Sequence, residues 1–402
     1  MMMKELVIYI GSFSFPLGDA VAKRAYGIAL SLAHAGYQTL IVDEDSSVAA
    51  GMVFDKGSVD GILHYSLHKP GSDLERFLIK KDVSAFRTCV LKLQNEYVIK
   101  AVVFCGTRCA LFANAIVNAC RKMHIPTIAD SMDWLSARTG NVLFDAIKQS
   151  DITLELCYVN KKANGVMAIS TYLADYYRSK GKKTIIVPPL SPYDHTEFSG
   201  ELSDAPTLVY AGVPCRLDRP LVDPSDAKDR LDIAIALLYR AYTDSMGFQL
   251  HIYGMTEEQY LTAFPHQTAI VTELVSAGRI AFLGRVSSDV VKEAVSQADY
   301  TILLREKNRT SMAGYPTKIS ESIALGTPVI TTDTSDICNH VRDGIDAFIL
   351  NIEDLDMGYS QLSVALRLEK EQRINMKMNA GGNSSYSPAT YANILHRFIQ
   401  AL

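Results

Sequence analysis

The feature that most restricts the fold is an alternation run through twice. Short apolar segments end in Gly or acids, and each leads into residues spaced for a helix. In the first round "ELVIYIG" (Glu5 to Gly11) reads as a buried strand and "DAVAKRAYGIALSLAHAG" as a helix that stops at Gly36. "YQTLIVDED", "AVVFCG", "PTIAD", "GVMAIS" and "TIIVPPL" carry the rhythm on, with helical stretches between them. Such alternation predicts βαβ units and parallel sheet. Val53 to Asp82 shows less period and receives no assignment. From Pro188 to Pro206 the apolar rhythm gives way to Pro, Ser and Asp, the composition of a linker. A second round follows: "TLVYAG", "RLDIAIALLYRAY", "FQLHIYG", "IAFLGRV", "SDVVKEAVSQAD", "YTILLR" and "DAFIL". The tail opens with Ser387-Pro388, a helix start. The expected organisation is therefore a domain at 1–190, a second at 205–385, and a terminal helix at 386–402 packing back towards the first. Both domains are α/β and doubly wound, and such sheets take ligands outside the carboxyl ends of their strands.

Length supports the division, since 402 residues are too many for one small core. A net charge of −4 with interspersed signs supplies no overall field for nucleic acid. The opening "MMMKELVIYIGSF" holds an apolar run too short for a signal peptide or a membrane span. Seven scattered cysteines suit reduced thiols better than a disulfide framework, so a cytoplasmic chain is expected. Cys105 and Cys109, four apart, are spaced to share a helix face. No second Cys or His pair lies nearby in sequence, and no metal site is expected. "DED" at Asp43 to Asp45 ends a strand and reads as a solvated turn.

The stretch "MAGYPTKISESIALGTPVITTDTSD", Met312 to Asp336, carries the most chemistry. Thr317 after Pro316 is placed as a helix N-cap, and Gly314 lets a ligand approach the backbone closely. A helix start offers free N–H groups and partial positive charge to a phosphate. Lys318 in the first turn opposes the helix dipole, which a nearby anion would offset. Glu321 lies four residues after Thr317, about 6 Å along the axis, where a carboxylate could accept from ribose hydroxyls. An ordinary solvated helix residue is the alternative. Arg216, Lys228, Arg285 and Arg305 fall at or near strand ends, and together they suggest a diphosphate pocket.

"YAGVP", "KDRLDIAIAL", "LHIYG", "IAFLGRVSSDVVKEAVSQADYTILLR" and "AGYPTKISESIALGTPVITTDTSD" resemble glycosyltransferase group 1 proteins, retaining nucleotide-sugar enzymes of GT-B fold. The resemblance is strong from Leu208 to Leu350 and weaker before it. It implies two Rossmann-like domains facing a central cleft. It further implies that Lys228, and more loosely Arg216, hold the donor diphosphate while Glu321 takes the ribose. The family's further glutamate, eight positions before Glu321, is here Ala313. Where many members carry a first-domain histidine, this chain has "PTIADSMDWLSARTG", with Asp130, Asp133 and the only tryptophan, Trp134. Gly18, Asp19 and Arg24 stand where the family approaches donor phosphate or acceptor. The catalytic set is thus Asp133, Lys228 and Arg216. The donor-binding set is Gly18, Gly212, Arg285, Arg305, Gly314, Pro316, Thr317, Lys318 and Glu321. The expected partners are a nucleotide-sugar donor and a carbohydrate, lipid-linked or other hydroxyl acceptor, with peripheral association at the inner face of a membrane left open. No cofactor or metal is expected. Rival readings are a GT-B-fold sugar-nucleotide epimerase or hydrolase, and an inactive nucleotide-binding partner subunit.

Overall fold

The computed structural model describes residues 3–72, 75, 79, 81–134, 142–193 and 202–402. The chain forms two compact units: Met1–Pro192 with Ala313–Thr317 and Ser387–Leu402, and Tyr193–Met312 with Lys318–Tyr386. Part of the linker, 194–201, and part of the "SARTG" segment, 135–141, lie outside the described residues.

In the first unit the strands are β1 (Lys4–Ile10), β2 (Gln38–Asp45), β3 (Val53–Val59), β4 (Ile62–His68), β5 (Tyr97–Phe104), β6 (Thr127–Ser131), β7 (Gly165–Ala168) and β8 (Thr184–Ile186). They form one sheet in the order β3-β4-β2-β1-β5-β6-β7-β8. Every pairing is parallel except β3 with β4. Alternation along a strand explains why β1 reads as a continuous apolar run. Leu6, Ile8 and Ile10 enter a core shared with the Ala110–Lys122 helix, while Val7 and Tyr9 enter a core on the opposite face. That second core takes in the Ala20–His34 and Pro388–Gln400 helices. A Cβ added at Gly165 in β7 would meet the Phe398 ring at 2.5 Å, so this glycine admits the terminal helix.

Three sequence expectations change here. The unassigned stretch after Val53 holds the β3–β4 hairpin; β3 is an exposed antiparallel edge and has no buried run to read. Asp43 and Glu44 are buried, not solvated: Asp43 accepts from Ser66 Oγ at 2.6 Å, and Glu44 pairs with Arg108 at 2.5 Å. Cys105 and Cys109 do not share a helix, since Cys105 follows β5 and Cys109 is the residue before the Ala110–Lys122 helix.

The second unit has β9 (Thr207–Ala211), β10 (Gln249–Tyr253), β11 (Ile280–Phe282), β12 (Tyr300–Leu303), β13 (Val329–Thr331) and β14 (Ala347–Ile349). All are parallel, in the order β11-β10-β9-β12-β13-β14. The order reverses direction between β9 and β12, and a crevice opens outside the carboxyl ends of such a strand pair. Among the described residues no helix is long and apolar enough to cross a membrane.

Candidate donor-binding site

The polar residues of the second unit converge where β9 and β12 end. Gly212 follows β9 with φ of +145°, a backbone that a side chain rarely adopts. A Cβ there would stand 2.2 Å from Lys318 Nζ, so the glycine leaves room for the lysine head. Lys318, near the start of the Thr317–Ala324 helix, donates to Asp229 Oδ2 at 2.8 Å and lies 4.7 Å over the Tyr210 ring. Arg305, two residues beyond β12, donates from Nε to Asp229 Oδ1 at 2.8 Å. Tyr210 OH donates to the same carboxylate at 2.9 Å. Thr332 fixes the Arg305 backbone on both sides, accepting from its N–H at 3.0 Å and donating to its carbonyl at 2.8 Å.

Asp229 is therefore the hub, a buried carboxylate with two cations and a phenol. Burial pushes its pKa up, but Lys318 and Arg305 outweigh burial and hold it well below the usual carboxylate range. Lys318 moves the other way. Loss of solvent lowers it, and Asp229 offsets only part of that effect. The Lys318 side chain keeps 34% exposure against 2% for Asp229, so one cation of the cluster still faces outward. Arg305 also lines a cavity of about 410 Å³ with Glu306, Lys307, Thr332, Asp333 and Asn351. A cation cluster beside a helix start, next to such a cavity, can hold an anion and a polar group attached to it.

Of the residues singled out by sequence, Gly212, Arg305 and Lys318 are brought together. Lys228 adjoins them through Asp229; its side chain is exposed and its N–H donates to Pro214 O at 2.8 Å. Arg216 is exposed and paired with Asp218 at 2.7 Å, and Arg285 is exposed after β11. Glu321 is half-buried in the Thr317–Ala324 helix. The helix opens at Thr317. Gly314 and Pro316 are buried just before it. Asp229 and Tyr210 were missed. Asp229 stood in the quoted "KDRLD" but looked like any acid at a helix start.

In the first unit Asp133 is half-buried two residues past β6, and Trp134 packs edge-on to Tyr176 at 4.8 Å. Asp130 and Arg24 are spent on structure. Arg24 Nη2 meets Asp130 at 2.7 Å, Tyr9 OH donates to Asp130 at 2.7 Å, and Arg24 Nη1 donates to the Val187 and Pro188 carbonyls at 3.0 and 3.1 Å. Asp19 caps the Ala20–His34 helix by accepting from Ala22 N–H at 2.8 Å. At Gly18 a Cβ would come within 2.7 Å of Ser14 O, so the turn itself requires glycine.

Residues 221–366 match the family described as Glycosyl transferases group 1. No match was found among curated proteins compared by sequence. Solved structures are similar over nearly the whole chain. HepE from Anabaena, in complex with UDP, is 14% identical with a TM-score of 0.60, covering 99% of this chain and 100% of that one. Sucrose-phosphate synthase from Thermosynechococcus elongatus is 13% identical with a TM-score of 0.62, at 99% and 100% coverage. The E. coli structure described as trehalose-6-phosphate bound with UDP-2-fluoro glucose is 10% identical with a TM-score of 0.63, at 99% coverage of each chain. At these identities the likeness shows the fold, which is GT-B.

Proposed function

We propose that this chain, whose second half carries a group 1 glycosyl transferase segment over residues 221–366, moves a sugar from a nucleoside diphosphate sugar to a hydroxyl acceptor with retention of configuration. The observation that carries the reading is the Asp229–Lys318–Arg305 cluster at the β9/β12 crevice, inside that segment. Breaking the bond between sugar and diphosphate leaves negative charge on the phosphate oxygens. Fixed cations and the N–H groups at the start of the Thr317–Ala324 helix stabilise that charge as it grows. Lys228 adds to the same positive field. With this charge supplied by side chains, transfer proceeds without a divalent metal.

Glu321 accepts from the donor ribose. The similar structures solved with UDP and UDP-glucose support a uridine donor as the first to try. We assign acceptor handling to the first domain, with Asp133 as the general base. Polysaccharide or glycoconjugate synthesis is the setting we propose, in the cytoplasm or at the inner face of the membrane.

Sugar incorporation from UDP-, GDP- and ADP-sugars, assayed with chelator present, tests the reaction. Glu321→Ala should weaken nucleoside diphosphate binding by roughly tenfold or more, the cost of about 1.5–3 kcal/mol for a hydrogen bond to a charged group. Nucleotide binding with no transfer would turn the reading to a non-catalytic partner subunit. Unchanged affinity in a folded variant would remove Glu321 from the ribose.

A further inference from the structure

The family pattern implies a basic pair, Lys228 and Arg216, on the donor diphosphate. Arg216 is exposed and holds Asp218 at 2.7 Å, beside it in sequence. The cations that share one carboxylate at the crevice are Lys318 and Arg305. We propose that the cations meeting the diphosphate in this chain include Lys318 and Arg305, set in place by Asp229. The assignment rests on the nucleotide-sugar reading and deepens it.

Four facts converge on it. Lys318 and Arg305 come from segments 13 positions apart in sequence, yet both end on one carboxylate at 2.8 Å. Gly212, with its positive φ, clears the space that the Lys318 head occupies. Thr332 locks the Arg305 backbone, so the guanidinium starts from a fixed point. Finally, the cluster itself is unbalanced: Asp229 is one carboxylate against two cations, with exposed Lys228 adjoining. An anion of two or more charges completes it without moving Asp229.

Asp229 acts here as a positioning residue. It aims both cations and keeps the Lys318 ammonium charged against the pull of burial. Asp229 is the acid in contact with Lys318, with Arg305, Lys228 and the Tyr210 ring also facing it and Glu321 one turn on in the same helix. Replacing it with a neutral isostere therefore makes Lys318 lose its proton at lower pH.

The experiment measures binding of UDP, and of inorganic pyrophosphate, to the full-length chain by calorimetry between about pH 7 and 10, the range below ordinary lysine ionisation. Lys318→Met should weaken both probes by roughly tenfold or more. Asp229→Asn should weaken both, with the fall in affinity on raising pH displaced to lower pH than in wild type. A melting curve for each variant separates binding from folding. Lys318→Met that binds as wild type overturns the assignment while UDP binding by wild type upholds the functional reading. An Asp229→Asn profile parallel to wild type at every pH reduces Asp229 to a fold-supporting residue. Wild type that binds neither probe removes the functional reading and this assignment together.

Discussion

Strand β12 has a buried acid and an arginine at each end, and the two ends do different work. At the carboxyl edge Asp229 holds Arg305 and Lys318. At the amino edge Asp299 holds Arg373 at 2.6 Å and accepts from Thr207 N–H at 2.7 Å. Arg373 also donates to the Ser203 and Asp204 carbonyls at 2.7 and 2.9 Å. Lys377 beside it donates to Ser296 O at 3.0 Å and Ala298 O at 2.5 Å, ending the Ser288–Gln297 helix. Here both cations are 1% exposed and turned onto the protein's own backbone. Burial pushes Lys377 down to about 8. It also keeps Asp299 above its ordinary value in spite of Arg373.

Acid, arginine and lysine are common to the two clusters, so composition does not separate a proposed binding site from a staple. Geometry does. The amino-edge cluster pins the Lys370–Gly381 helix under the sheet. The carboxyl-edge cluster leaves one lysine partly in solvent, beside a glycine that clears its path and a cavity that opens next to its arginine.

The largest effect expected from breaking this contrast lies at the amino edge. Arg373→Met strands Asp299 without its cation, and breaking one side of a buried pair costs about 3–5 kcal/mol. Denaturant unfolding of the second unit should show that loss, while UDP affinity of the folded protein stays as in wild type. A variant that keeps its stability and loses UDP would place the anion site at the wrong end of β12. Gly212→Ala is the smaller, sharper probe. Positive φ costs a side chain about 1–3 kcal/mol, and the new methyl displaces the Lys318 head. Stability and UDP affinity should therefore fall together. Lost stability with full affinity would mean that Lys318 does not need that space.

Much of the frame was legible in the sequence because parallel sheet buries both faces of a strand. Runs such as "ELVIYIG" and "YTILL" have few other uses. The edge strand β3 was not legible, for the opposite reason: it is exposed along its length and has no run. The Asp229 cluster was half legible. Lys318, Arg305 and Gly212 were marked by position at strand or helix ends. Asp229 was not, because Tyr210, Asp229, Arg305 and Lys318 meet only once β9 and β12 are neighbours, and that adjacency belongs to strand order. Asp43 and Glu44 show the same limit, since nothing local announces Ser66 or Arg108 as their partners.

The smallest expected effect is in acid, where the two ends of β12 should answer with opposite sign. Asp229 sits below the ordinary carboxylate value of 3.8 in the folded chain, so its stabilisation is present above that value and lost as pH falls through the folded one. Asp299 sits above 3.8, so its contribution is complete below that value and lost as pH rises through the folded one. In wild type the two partly cancel. Asp229→Asn removes the first term, and its stability deficit against wild type should grow as pH is raised from about 3 towards 4, the range of ordinary carboxylate titration. Asp299→Asn removes the second, and its deficit should grow as pH is lowered from about 6. Denaturant unfolding of the three proteins across that range reads both slopes. If the two deficits move in the same direction, the two carboxylates share one electrostatic setting, and the division of β12 into a binding end and a stapling end loses its physical basis.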